Sequence, residues 1–254
     1  MTRPPRSPAT VLRRELASTR GRVALGIATA LVVLGLYGLW YLFFRPAGPA
    51  AVDLGALSTS PGASNSAGGT LSTIEGTWTV DTSIGSGDTG SFVGYRIKEQ
   101  LASIGATTAV GRTPKVSGTF DITGSKVTAA TITADVTALA SDDGRRDGQL
   151  TDRGLETDRF PTATFVLSGP IDLGGRPADG QIVKVTASGQ LTMHGQTQTV
   201  QIALEARLSG SVLALTGSLP ITLADFGIKA PTSMMALSVE DHGTLELQLL
   251  FAHA

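Results

Sequence analysis

IVKVTASGQLTM, Ile182 to Met193, changes character at every step. Val183, Val185, Ala187, Gly189, Leu191 and Met193 fall on one side; Lys184, Thr186, Ser188, Gln190 and Thr192 fall on the other. Successive side chains of an extended strand point to opposite faces, so this period of two predicts an antiparallel strand with one apolar face. His194-Gly195-Gln196 reads as a short turn. After it Thr197 to Leu208 alternates again, with Val200, Ile202, Leu204, Ala206 and Leu208 against Thr199, Gln201, Glu205 and Arg207. Two alternating runs joined by a glycine turn predict a hairpin.

The same habit recurs in Lys126 to Leu139, Ser211 to Leu223 and Thr244 to Phe251. Pro220 has no amide hydrogen for a ladder, so its strand is expected to be bulged or at an edge there. About eight or nine such strands with short connections predict an all-β domain over residues 73–254, either a sandwich or a closed antiparallel barrel. Many inward candidates are small: Ala130, Ala134, Ala138, Ala187, Gly189, Ala206 and Gly217. Small inward side chains leave room for a cavity or let sheets pack closely, and the pattern alone leaves both open.

Upstream the pattern differs. Val23 to Phe44 carries no charge and no proline. As a helix it would cover roughly 33 Å, enough for the ~30 Å hydrocarbon core of a bilayer. Tyr37, Trp40 and Tyr41 gather near its far end, and Arg3, Arg6, Arg13, Arg14, Arg20 and Arg22 precede it. Positive charge stays cytoplasmic, so residues 1–22 are expected inside and the β domain outside the cytoplasmic membrane. A cleaved signal peptide is the rival, but its apolar core is typically ~7–15 residues, shorter than this run. Residues 45–72, rich in Pro, Gly, Ala and Ser, are expected to be a flexible linker with a reach on the order of 30 Å.

Charge and composition exclude several functions. The chain's net charge is −1, and residues 1–45 hold seven arginines and one acid, so the remainder is acidic. An acidic domain is a poor partner for nucleic acid, which needs clustered cations. There is no cysteine, hence no disulfide, thiolate metal site or cysteine nucleophile. Asp88 to Arg112 is rich in glycine but lacks a phosphate-loop order, and it is expected to be one strand over Ser91 to Ile97 and then a loop. His194, His242 and His253 show no ligand spacing, and G-x-S-x-G is absent. No enzyme, metal or cofactor is expected.

Ser141 to Pro161, SDDGRRDGQLTDRGLETDRFP, breaks the alternation with dense charge. Ser141, Asp142 or Asp143 is expected to cap a short helical turn, and Thr151-Asp152 another. Asp142, Asp143, Asp147 and Asp152 have no EF-hand spacing, and one loop rarely sets the opposed carboxylates of a glycosidase. They are expected to pair with Arg145, Arg146, Arg153 and Arg159 on a charged rim or lid.

Six pieces then line up in order: Trp78-Thr-Val-Asp81, Val116-Ser-Gly-Thr-Phe120, Arg146-Asp147-Gly-Gln-Leu150, Phe160-Pro161-Thr-Ala-Thr-Phe165, Gly189-Gln-Leu-Thr-Met-His-Gly195 before Thr199-Val200, and Asp225-Phe226-Gly227-Ile228. Together they resemble the YceI-like family, small exported proteins of lipocalin-like shape that include polyisoprenoid binders. The resemblance covers nearly all of residues 76–252. It implies an eight-stranded antiparallel barrel with an apolar interior for a prenyl chain, and a charged segment near the cavity mouth. It implies cavity contacts from Phe92, Tyr95, Ile97, Leu150, Leu155, Phe160, Phe165 and Phe226, with Arg145 and Arg146 as candidates to hold a head group. Departures are an extra loop, Lys98 to Lys115, and an anchor in place of the family's usual cleaved signal. The partner it implies is an isoprenoid lipid or quinone, met beside the membrane; monomer and homodimer both stay open. The competing expectation is an envelope interaction domain with a filled barrel.

Overall fold

The computed structural model describes residues 19–43, 48–55, 57, 73–101, 105–230 and 236–254. The chain divides into two units between Ala47 and Gly48. The first contains one helix, α1 (Thr19–Phe43), whose described apolar side chains, among them Val23, Ile27, Leu31, Leu34, Leu36 and Leu39, are all exposed. Side chains in it are described for Arg22, Val23 and Gly26 to Trp40. Among the described residues, no helix is long and apolar enough to cross a membrane. Residues 1–18, 58–72, and Phe44 of the expected anchor lie outside the described residues.

The second unit is built from β1 (Gly76–Val80), β2 (Phe92–Leu101), β3 (Gly105–Thr113), β4 (Val116–Thr123), β5 (Lys126–Asp135), β6 (Thr162–Leu167), β7 (Ile171–Asp172), β8 (Ile182–Met193), β9 (Gln196–Ser209), β10 (Val212–Thr222) and β11 (Ala236–His253). Following the pairings β1–β4–β5–β6–β8–β9–β10–β11 and back to β1 closes an eight-stranded antiparallel barrel. β2 and β3 fill the same gap at its other end. β2 runs on along β11 where β1 stops, and β3 pairs with β2 before the chain passes through Pro114-Lys115 into β4. The expected loop over Lys98 to Lys115 is therefore mostly ladder. Gly111 concealed this, because it sits in a strand where its neighbours leave no room for a side chain. A Cβ on Gly111 would come 2.3 Å from the Tyr95 ring.

Local chemistry explains the other joins. His194 and Gly195 both have positive φ, 51° and 72°, the geometry of the tight turn between β8 and β9. Pro220 lies past the β9 ladder, which ends at Ser218, so its nitrogen faces no partner strand; β10 continues there only against β11. β11 is 18 residues long and meets β10, β1 and β2. A register shift between Val239 and Gly243 bends it.

The outer face of β11 wears a coat. Gln248 Nε2 donates to the carbonyls of Asp88 and Gly90, at 2.9 and 2.8 Å. Glu246, also facing outward, is buried and takes a two-pronged contact from Arg96, 3.0 and 3.3 Å. Residues 48–55 and Leu57, read by composition as part of a linker, lie on this coat. Arg96 donates to the Pro49 carbonyl at 2.9 Å and Arg112 to the Ala50 carbonyl at 2.8 Å. Leu54 is wholly buried with Ala214 and Leu250, against Leu57, Ile84 and Val212.

Inside the barrel, buried apolar residues form two clusters. Trp78, Val116, Phe120, Leu249 and Phe251 fill one, with Trp78 stacked on Phe120 and Phe251 edge-on to Phe120. Val136, Leu155, Leu191, Met193, Ile202, Leu219 and Phe226 form the other, beneath the charged excursion.

Candidate functional site: an apolar cavity with one polar corner

A cavity of about 290 Å³ lies within the barrel and borders both clusters. Its wall is mostly apolar because most inward positions of the long strands are apolar, as the period of two requires. Ala130, Ala134, Ala187 and Ala206 border it, so small residues do create volume there. Gly189 and Gly217 do not, since Phe165 and Leu204 lie across them: a Cβ would meet those side chains at 2.3 and 2.5 Å. Ala138 falls in a 3-10 turn, Val136–Ala138, after β5.

Of the residues expected to line the site, Tyr95, Ile97, Leu150, Leu155 and Phe165 border this cavity, and so does Arg146. Phe92 sits an odd number of steps from Tyr95 on an unshifted ladder, so it faces outward; its buried ring lies under the Arg112 guanidinium, 4.1 Å away. Phe160 packs edge-on against His194 at 4.8 Å, and its ring lies over Gly195. Phe226 is buried in the core cluster, with its carbonyl accepting from His194 Nδ1 at 3.0 Å. Neither borders the cavity. Arg145 is exposed.

The charged excursion folds as a short helix, α2 (Gly144–Gln149), continued by a wider turn over Leu150–Gly154. Asp143 caps it by accepting from the Arg145 amide at 2.9 Å. Leu150 and Leu155 hang from this segment into the cavity. Arg146 Nη2 reaches Glu99 Oε1 on β2 at 2.6 Å, and Nη1 reaches Asp142 Oδ1 at 2.6 Å. Asp147 accepts from the Ser141 amide and hydroxyl. Burial acts against the Arg146 charge, but the carboxylates of Asp142 and Glu99 outweigh it and raise its pKa above the ordinary value.

Tyr95 completes this corner. Burial pushes its phenol up to about 12, with Arg146 pulling the other way and Asp147, Glu99 and Asp142 adding to the rise. Its hydroxyl is buried and has no hydrogen-bond partner among the described residues. Glu99 was not anticipated. It shares the parity of Tyr95 and Ile97, so counting along β2 places it inward; the expectation of a loop after Ile97 hid it.

A family model described as the YceI-like domain matches residues 78–251. The chain belongs to the YceI-like family. Among solved structures, a polyisoprenoid binding domain from Saccharophagus degradans, implicated in plant cell wall breakdown, is 19% identical with a TM-score of 0.54; the match covers 70% of this chain and 98% of that one. BcnA of Burkholderia cenocepacia is 24% identical over 63% of this chain and 95% of that one, with a TM-score of 0.48. A Campylobacter jejuni YCEI protein is 17% identical over 55% of this chain and 81% of that one, with a TM-score of 0.43. No curated protein sequence matches. The first of these likenesses supports the shared fold. Within this YceI-like barrel, the residues that carried the resemblance mostly build the frame: Trp78, Phe120 and Phe226 are core, and Gly227 has the left-handed φ of 66° that ends the 3-10 turn Leu223–Phe226.

Proposed function

We propose that this YceI-like domain binds the chain of an isoprenoid lipid, a quinone or a polyprenyl lipid, on the outer side of the cytoplasmic membrane. The observation that carries this reading is the aliphatic cavity inside a closed barrel. Each methylene removed from water contributes about 0.8 kcal/mol. A tail already in a bilayer gains little from a second apolar environment, so selectivity rests on the shape of the bore and on contacts to the head. The anchor in this proposal is Val23 to Phe44, an uncharged run with arginines before it. It supports a single pass with the N-terminus inside and keeps the barrel near its source of lipid. The cavity volume counts against a wholly filled barrel, and residues 73–254 are the binding module of this proposal.

Native mass spectrometry of the full chain, released from mild detergent, tests the proposal. A species heavier by one discrete lipid mass is expected, with its fragments naming a prenyl chain. A chain that stays at its own mass after incubation with prenyl quinones and polyprenyl phosphates would instead favour an envelope interaction domain.

A further inference from the structure

The ring of strands is complete, but one of its joins covers less than half of a strand. β6 pairs with β8 only from Thr164–Thr192 down to Leu167–Gly189, and the Ser168 amide adds one bond to the Ser188 carbonyl at 2.9 Å. Pro170 has no amide hydrogen, and β7 turns to β5, meeting Lys126 and Val127. Among the described residues, no strand pairs with residues 182–187 of β8 on that side, whereas β9 pairs with all of them on the other. A seam therefore runs down the wall, and the cavity reaches it. Leu167, Ile171, Leu173 and Pro177 border the cavity on one side of the seam, Val183 and Val185 on the other. The barrel exposes two large apolar side chains among the described residues, Val166 and Ile182, at 45% and 44%. They point outward on β6 and β8, one toward each end of the open stretch.

Residues 173–181 cross the foot of this seam. The Leu173 amide donates to the Ser125 carbonyl at 2.9 Å, the Gly180 amide to the Leu208 carbonyl at 2.7 Å, and the Gly210 amide to Asp179 Oδ1 at 2.8 Å. Gly174, Gly175 and Gly180 have φ of 72°, 131° and 76°, and a Cβ on any of them would meet nothing within 4 Å. These glycines serve the path of the backbone and not packing, and they place a pivot at each end of the loop. The charged excursion is held differently. Arg146 ties α2 to β2 through Glu99, whose side chain is 4% exposed, and Leu155, Met193, Leu219 and Phe226 are buried beneath. Lifting the excursion breaks a buried ion pair and uncovers core. Lifting the loop breaks a few bonds at an exposed edge, where water replaces them.

We propose that residues 173–181 are the gate of the cavity, and that an apolar chain enters sideways through the seam between β7 and β8 instead of past the charged excursion. This rests on the lipid-binding reading above. A slit along the wall admits a long chain side-on, without the straightening that threading from one end demands. Val166 and Ile182 give the slit an apolar threshold.

The test uses the full chain with Trp40→Phe, in detergent micelles, and a dansyl-tagged prenyl chain as probe. Trp78 is then the one tryptophan and lies in the cluster that the cavity borders, so energy transfer to dansyl reads uptake. The chain has no native cysteine, so Ala178→Cys on the loop and Arg145→Cys on α2, both at exposed positions, each take a single biotin tag. Streptavidin bound at position 178 is expected to slow uptake at least roughly 10-fold, and at position 145 by less than about 2-fold, as gating by the loop requires. Asp179→Ala removes the latch on Gly210 and should raise uptake and release together by roughly 2- to 5-fold, the span of one exposed hydrogen bond, with the dissociation constant unchanged. Streptavidin at 145 that slows uptake as much as at 178, or that slows it at neither place, overturns the inference while the lipid cavity stands. So does Asp179→Ala with both rates unchanged. If the uncapped chain takes up no probe, the lipid-binding reading fails and this inference falls with it.

Discussion

Replacing Leu54 by alanine separates a strap that belongs to the domain from a spacer that merely precedes it. Leu54 is wholly buried among Ala214, Leu250, Leu57, Ile84 and Val212. Core Leu→Ala changes cost ~2–5 kcal/mol, depending on how far the site can collapse. The strap lies on the outside of the barrel and can settle inward, so about 2–3 kcal/mol is expected. For a unit spanning Gly48–Ala254 that corresponds to a fall in Tm of roughly 5–10 °C. Trp78, fully buried in the barrel, reports unfolding by its fluorescence once Trp40 is replaced by Phe. Lipid loading should survive, because Ala214 and Leu250 face away from the cavity that Leu213, Leu215 and Leu249 border. A midpoint within about 1 °C of the parent's would refute the reasoning, since an unattached spacer contributes nothing to stability.

Ala134→Phe should abolish loading by filling the bore at a nearly buried position, with stability changed by no more than about 1 kcal/mol because space is available; native mass spectrometry and thermal melts report the two effects separately. Arg96→Ala leaves Glu246, 5% exposed at the side chain, without its partner and also frees the Pro49 carbonyl; a loss of about 3 kcal/mol is expected by denaturant titration. With Tyr37 and Tyr41 replaced by Phe, ultraviolet titration should find the Tyr95 phenol ionising near 12. Its folded pKa is raised, so the linked stability is fully present below about 10, the unfolded value, and is lost as pH rises toward 12; Tyr95→Phe should lack that alkaline decline.

Much of the barrel was legible because alternation is a one-dimensional signal. Ile182 to Met193 and Thr197 to Leu208 pair residue for residue as β8 and β9, turning at His194-Gly195. Pro220 stands where a ladder ends, for the reason its chemistry gives. Legibility failed where the cause lay on another strand. Gly111 read as a loop residue, though it makes room for Tyr95 across the ladder. Alternation along Thr244 to Phe251 puts Glu246 and Gln248 on the outer face but does not say that the segments around Pro49 and Asp88 cover that face. Leu54 stood with Val52 and Leu57 in a stretch of Pro, Gly and Ala, with no period to mark it. In the site, parity along β2 separates Tyr95, Ile97 and Glu99 from Phe92, whereas the Arg146–Glu99 pair joins residues 47 apart and no local pattern announces it.

The length of β11 bears on how the protein comes to be folded. β1, β2 and β10 all take this last strand as their second partner, and Trp78 of β1 pairs with His253 across nearly the whole domain. The ring cannot close until that strand is in place, so its seam must form late and by contacts very distant along the chain, which makes folding slow. Until then three strand edges and the aliphatic interior stay open to the surroundings. A nascent chain in that condition is the form most exposed to aggregation and proteolysis, and a helper acting on it would be needed before the barrel exists rather than after.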